Sequence, residues 1–181
     1  MRIILTRHMK RYQGRSARNN ARVKRMVADI EEVAKHFSEL NGRTLKVGYT
    51  SCDGTASKHL MKIAIQPGGK VYSYALIAHE LTHLIQGSAG IPSGEKACDL
   101  WTMARHPLFN EIPPSYLDIP QRIIDDWDAY RDLIREKAIR AIAMRQEGLR
   151  RYIRWFENEV ARLHRRSSPA NARNEAKRFP D

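Results

Sequence analysis

Residues 79–83 read His-Glu-Leu-Thr-His, and they are the residues of this chain best suited to do chemistry. Helical positions four apart share a face, so His79 and His83 would present two imidazoles to one point, with Glu80 beside them. Two imidazoles so placed suit a zinc ion. The neighbouring carboxylate suits proton transfer to and from a water held by that ion. With seven His and eleven Glu among 181 residues, chance would produce roughly 0.02 copies of H-E-x-x-H. The motif is also set into VYSYALIAHELTHLIQG, residues 71–87, the most apolar segment of the chain. Unpaired polar groups are costly in such a setting, and a metal accounts for their presence.

Tetrahedral zinc with one open position needs a third protein ligand. Glu95, Asp99 and His106 are the downstream candidates. Glu95 falls 12 residues after His83, across a Gly/Pro loop, in the first turn of the next expected helix. Asp99 is four residues further on, hence on the same face. This spacing suggests that Glu95 binds the metal, while Asp99 accepts the free ring N–H of a ligand histidine and fixes its orientation. His106, at the far end of that helix, is the rival ligand.

The elements that must position these side chains are legible in outline. Residues 20–40 carry Val23, Met26, Val27, Ile30, Val33, Ala34, Phe37 and Leu40 at spacings of three and four, the pattern of an amphipathic helix. Residues 44–50 and 59–66 suggest strands, with SCDGTASK as a loop between them. Residues 71–87 form a largely buried helix, and Ser93 is a plausible cap for a helix over 94–106. Residues 107–119, which include Pro107, Pro113 and Pro114, read as an ordered loop. A long helical pattern runs from about 120 to 166, broken near Gly148. Ile3–Leu5 could start a short strand. The organisation expected is therefore a basic N-terminal arm over 1–19, a domain over 20–119, a helical extension packed on it over 120–166, and a flexible basic tail over 167–181.

Hydrophobic residues are 42% of the chain, enough for a real core. No apolar run approaches the roughly 20 residues that span a bilayer, so no membrane is expected. Cys52 and Cys98 are the two cysteines; they are too few for a disulfide framework and read as small buried hydrophobes. The N-terminus lacks a signal-peptide pattern, and a cytoplasmic location is the default. Net charge is +12 and unevenly spread. Residues 1–28 hold nine Lys/Arg and no acid, residues 29–134 hold 10 and 14, and residues 135–181 hold 13 and 6. The basic ends are candidates for binding nucleic acid or another anionic surface.

HELTH followed by GEKACD resembles the gluzincin metallopeptidases, whose pattern is H-E-x-x-H with a later E-x-x-x-D on a "glutamate helix". The short gap and small domain are most similar to the minigluzincins. The resemblance covers about residues 20–106. It implies an α+β fold, a zincin-like minimal metallopeptidase domain of backing helix, small twisted sheet, active-site helix and glutamate helix. Here that domain would carry a long helical C-terminal extension. It implies His79, His83 and Glu95 as zinc ligands, Glu80 as general base and acid, and Asp99 behind a ligand histidine.

The function that follows is zinc-dependent endopeptidase activity on a protein or peptide substrate, with Glu80 activating a zinc-bound water. Such enzymes usually add a donor for the developing oxyanion; Tyr116, in the Pro-rich loop, is the first candidate. The resemblance also implies that substrate backbone pairs with an edge strand, for which Ile63, Ala64 and Ile65 are the candidates. Surplus C-terminal length raises the idea of latency, with that segment in the cleft. An alternative is a nucleic-acid-associated zinc protein. It would be similar in logic to the SprT/Spartan group, which digest proteins attached to DNA but use a third histidine in place of Glu95-x-x-x-Asp99.

Overall fold

Ile3 and Leu5 alternate with Arg2 and Ile4, and this short stretch forms strand β1 (Arg2–Leu5) with its apolar side turned inward. The computed structural model describes residues 1–52 and 54–167. Thr6 caps the next helix, α1 (Arg7–Gln13), by accepting from the Met9 amide. Met9 is fully buried, and Tyr12, three residues on, stacks on Tyr49 at 4.6 Å. The basic arm expected over residues 1–19 is thus a strand and a helix built into the domain. Two apolar side chains on one helical face suffice to anchor it.

Helix α2 (Ala17–Ala34) buries Val23, Met26, Ile30 and Val33. It ends earlier than its apolar pattern, but Phe37 and Leu40 stay buried through a 3-10 turn at Ser38–Leu40. Three further strands follow: β2 (Thr44–Gly48), β3 (Gly54–Ser57) and β4 (Lys62–Ile65). The sheet order is β1-β2-β4-β3, with β1, β2 and β4 parallel and β3 antiparallel to β4. Strand β3 falls in the segment expected to be a loop. GTAS has little strand propensity of its own, and pairing with β4 supplies what its side chains do not.

Helix α3 (Tyr74–Ile85) carries the H-E-x-x-H residues and starts where Ser73 accepts from the Leu76 amide. Helix α4 (Glu95–Arg105) begins after Gly94, φ 104°, and has no side-chain cap, in place of the one expected from Ser93. The helical extension comprises α5 (Gln121–Ile124), α6 (Trp127–Gln146) and α7 (Tyr152–Ser167), with the break at Gly148, φ 105°. The tail beyond Ser167 lies outside the described residues.

Two hydrophobic clusters hold these elements. The first packs Met9, α2 and α3 against the inner face of the sheet. The second joins Leu100 and Met103 of α4 to Trp127, Ile134, Tyr152 and Phe156 of the extension. Trp101 packs against both clusters. Helix α4 is therefore cemented on two sides, which fixes the height of Glu95 and Asp99 relative to α3. Thr82 and Thr102, both buried, pair hydroxyl to hydroxyl at 2.9 Å between the two helices. The fold is α+β, with seven helices and a small mixed four-stranded sheet among the described residues. No helix among them is long and apolar enough to cross a membrane.

Candidate metal centre

The i, i+4 spacing on α3 brings His79 and His83 edge to face, with Nε2 atoms 3.0 Å apart. Glu95, on the first turn of α4, places Oε2 3.1 Å from each of those nitrogens. Three ligand atoms therefore form a near-equilateral triangle. Zinc bonds of about 2.0–2.1 Å in a tetrahedron give ligand–ligand edges of about 3.3 Å, close to this spacing.

The other ring nitrogens decide the protonation of the set. His79 Nδ1 lies 2.8 Å from Asp99 Oδ1, and His83 Nδ1 lies 2.8 Å from Gln86 Oε1. Gln86 is oriented by its own amide, which donates to the carbonyls of Pro92 and Gly94, so its oxygen faces the ring. Both Nδ1 atoms are therefore donors, and both Nε2 atoms present lone pairs when the rings are neutral. Two lone pairs and a carboxylate oxygen meet at one point. A ring proton or a metal ion would satisfy them. Burial opposes a charge on His79, but the hydrogen bond and negative charge of Asp99 outweigh it and raise the ring's pKa.

Cys98 lies close behind. His79, His83 and Cys98 each offer one ligand atom within 4.8 Å of the others, so that group could hold a metal ion. The Cys98 thiol, however, donates to the His79 backbone carbonyl at 3.2 Å. Burial first, and then the charge of Asp99, push its pKa well above the usual thiol range.

Glu80 is 5% exposed, and its Oε2 is buried without a hydrogen-bond partner. Burial raises its pKa, opposed by the imidazoles of His79 and His83. Backbone presses on this carboxyl from the sheet side: a Cβ on Gly54 would stand 2.4 Å from Glu80 Oε1. The absence of a side chain at Gly54 is what lets β3 pass so close. Tyr116 donates its backbone N–H to Asp99 Oδ2 at 2.7 Å, and its ring lies near-parallel to that of His79, centroids 5.9 Å apart. Asp99 thus positions both the His79 ring and the loop bearing Tyr116.

Two hollows flank the carboxyl. One is lined by Gly54, Thr55, Ala56 and Lys58 together with His79, His83 and Glu95. The other is lined by Leu76, Met103, Phe109, Ile112 and Pro113 beside Glu80. No described residue beyond Tyr116 lines either hollow, so the described part of the extension stays out of the cleft.

The structure brings together His79, Glu80, His83, Glu95, Asp99 and Tyr116. It does not place His106 there; that ring stacks on His36 at 3.9 Å. Nor are Ile63, Ala64 and Ile65 an edge. Strand β4 is hydrogen-bonded on both sides, and all three side chains are buried, because the apolar run belongs to the middle of the sheet. The edge facing the site is β3. Gln86 and Gly54 were not legible beforehand. A Gln three residues after the second histidine, i to i+3 on one helix face, was the available sign for the former. No family model, curated protein or solved structure matches this chain.

Proposed function

We propose that the protein is a zinc endopeptidase of the zincin type, with His79, His83 and Glu95 as the metal ligands. One observation carries the reading: three ligand atoms converge at 3.0–3.1 Å, beside a buried carboxyl that has an oxygen without a partner. A purely structural site has no use for that carboxyl. Nitrogen and carboxylate donors in this number favour zinc over magnesium or calcium. The element order also supports the reading, with α2 backing a small sheet, then α3 with the histidines, then α4 with the glutamate.

When bound, zinc supplies Lewis acidity at the peptide carbonyl and acidifies the attacking water. The chain supplies the rest. Asp99 and Gln86 hold the two imidazoles in the tautomer that ligates. Glu80 takes a proton from the water on its unpartnered Oε2 and returns it to the leaving amine, work suited to a carboxyl whose pKa burial has raised. Tyr116, whose ring lies near-parallel to that of His79, is the candidate donor to the developing oxyanion. The free edge of β3 pairs with substrate backbone, and the hollow beside Leu76 and Phe109 receives an apolar side chain. The test is casein hydrolysis by the purified full chain. Cleavage lost on chelation and restored by zinc alone is expected; cleavage indifferent to chelator contradicts the reading.

A further inference from the structure

The first 28 residues hold nine Lys/Arg and no acid, and the structure shows where that charge goes. Arg7, Lys10 and Arg11 are exposed on α1, Arg15 is exposed in the turn, and Arg18, Lys24 and Arg25 are exposed on α2. Arg18, Arg22 and Arg25 recur at spacings of four and three, so they share one stripe of α2. Among the described residues the only ion pair made by any of these is a long one, Arg25 to Asp29 at 3.9 Å. The two helices meet at a fixed corner, where Gln13 donates to Asn20 Oδ1 and Asn19 donates to the Tyr12 carbonyl.

The other basic region is built differently. Residues 120–163 hold ten Lys/Arg but also eight Asp/Glu. Arg131, Lys137 and Arg162 are paired with carboxylates, and Arg140 and Arg145 lie over the rings of Trp155 and Tyr152. Lys137, Arg140 and Arg145 thus tie α6 to α7, while the Arg131 and Arg162 pairs lie within their own helices.

We infer that the α1–α2 corner is a binding surface for the phosphate backbone of duplex nucleic acid. A preformed ridge of cations whose one acidic partner among the described residues is Asp29, at 3.9 Å from Arg25, gains affinity by releasing counterions from a regular polyanion. A membrane surface fits less well. Met9, the apolar residue of α1, is buried, and none of the exposed large hydrophobics lies on α1 or α2, so nothing is left to insert. The corner also lacks an exposed aromatic platform, since Tyr12 is stacked on Tyr49, which points to backbone contact rather than to stacking with unpaired bases. The inference does not depend on the zinc reading.

The test is fluorescence anisotropy of a short mixed-sequence duplex DNA with the full chain, over about 50–200 mM salt. The variant Arg7→Gln/Lys10→Gln/Arg11→Gln/Arg15→Gln/Arg18→Gln is compared with Arg150→Gln/Arg151→Gln/Arg154→Gln, which removes three exposed cations of the extension. Each phosphate contact costs about three- to fourfold in affinity across that range. The N-terminal variant should bind at least about tenfold more weakly at low salt, with a slope shallower by about 0.9 per lost contact, while the second variant changes little. Should the five-fold variant melt early, Arg11→Gln/Arg15→Gln must still weaken binding in the same sense. Equal or greater loss in the extension variant, absence of binding by the wild type, or binding to phosphatidylserine vesicles but not to DNA would each overturn the inference.

Discussion

Glu80 and the two histidines are legible in the sequence because their chemistry depends on residue type and helical spacing alone. Gly54 and Gln86 are not, because each acts through space or through one hydrogen bond that only the fold creates. Both can be tested. Adding a methyl at Gly54 sets a carbon 2.4 Å from Glu80 Oε1, so the carboxyl or the strand must move. Gly54→Ala should retain zinc yet lose about 10- to 100-fold in casein hydrolysis, since displacements near 1 Å are that costly. An unchanged rate would mean that Glu80 is not held as described. Gln86→Ala removes the acceptor for His83 Nδ1. Zinc affinity, measured by competition with a chelating dye, should fall about 10- to 100-fold, as for other residues that orient ligand histidines. Glu95 is suggested by its place 12 residues after His83 in the first turn of the next helix, and Asp99 by its spacing of four from Glu95. Tyr116 was found only by its place in a Pro-rich loop, and Asp99 explains why that loop returns to the site.

Among the elements, the long periodic helices and the strands β1, β2 and β4 were readable, and β3 was not. Four residues of GTAS carry no pattern, and their role is set by β4 beside them. The resemblance makes Ile63–Ile65 the candidate edge, but the order β1-β2-β4-β3 puts that apolar run in the middle of the sheet. The attachment of α4 to the 3-10 turn that follows α2 was likewise invisible. Arg105 donates through both guanidinium nitrogens to Glu39, at 2.8 and 3.1 Å, and lies over Phe37. Partial burial disfavours the charged Glu39 carboxylate, but its bonds to Arg105 outweigh that and hold its pKa below the ordinary value. The folded state therefore binds this proton less readily than the unfolded chain. The resulting stability is present in full above the ordinary glutamate range and is lost as pH falls through the lowered folded value. Glu39→Gln should lower stability by about 1 kcal/mol near neutrality, a partly exposed pair being worth little more. In thermal melts the gap between wild type and variant should close as pH falls below the ordinary range. A gap that stayed constant or widened on acidification would exclude the pair as its source.

For the molecule as a whole, the sequence marked an extension but not why it is there. The second cluster shows it as the outer support of α4, the helix that carries Glu95. Lys96 adds a polar tie, reaching Asp118 and Glu157 at 2.6 and 2.7 Å. The part of the chain that carries α3 and α4 and the extension should accordingly melt as one unit. Phe156→Ala, at a fully buried site of α7, should cost about 3–5 kcal/mol and lower the single transition by roughly 10 °C. Two separate transitions in calorimetry, with zinc binding following only the first, would show that the extension is a separate body. Latency through the last residues is a different matter: truncation after residue 166 that leaves casein hydrolysis unchanged would end that idea.

The most direct measurement compares wild type with Glu80→Gln at matched zinc content, determined by elemental analysis and followed by casein hydrolysis. The ligands are untouched in the variant, so one zinc per chain is expected in both proteins, with cleavage by the wild type and essentially none by the variant. Cleavage that survives in Glu80→Gln, or a wild-type chain that binds no zinc, would contradict the reading of this site as a peptidase centre.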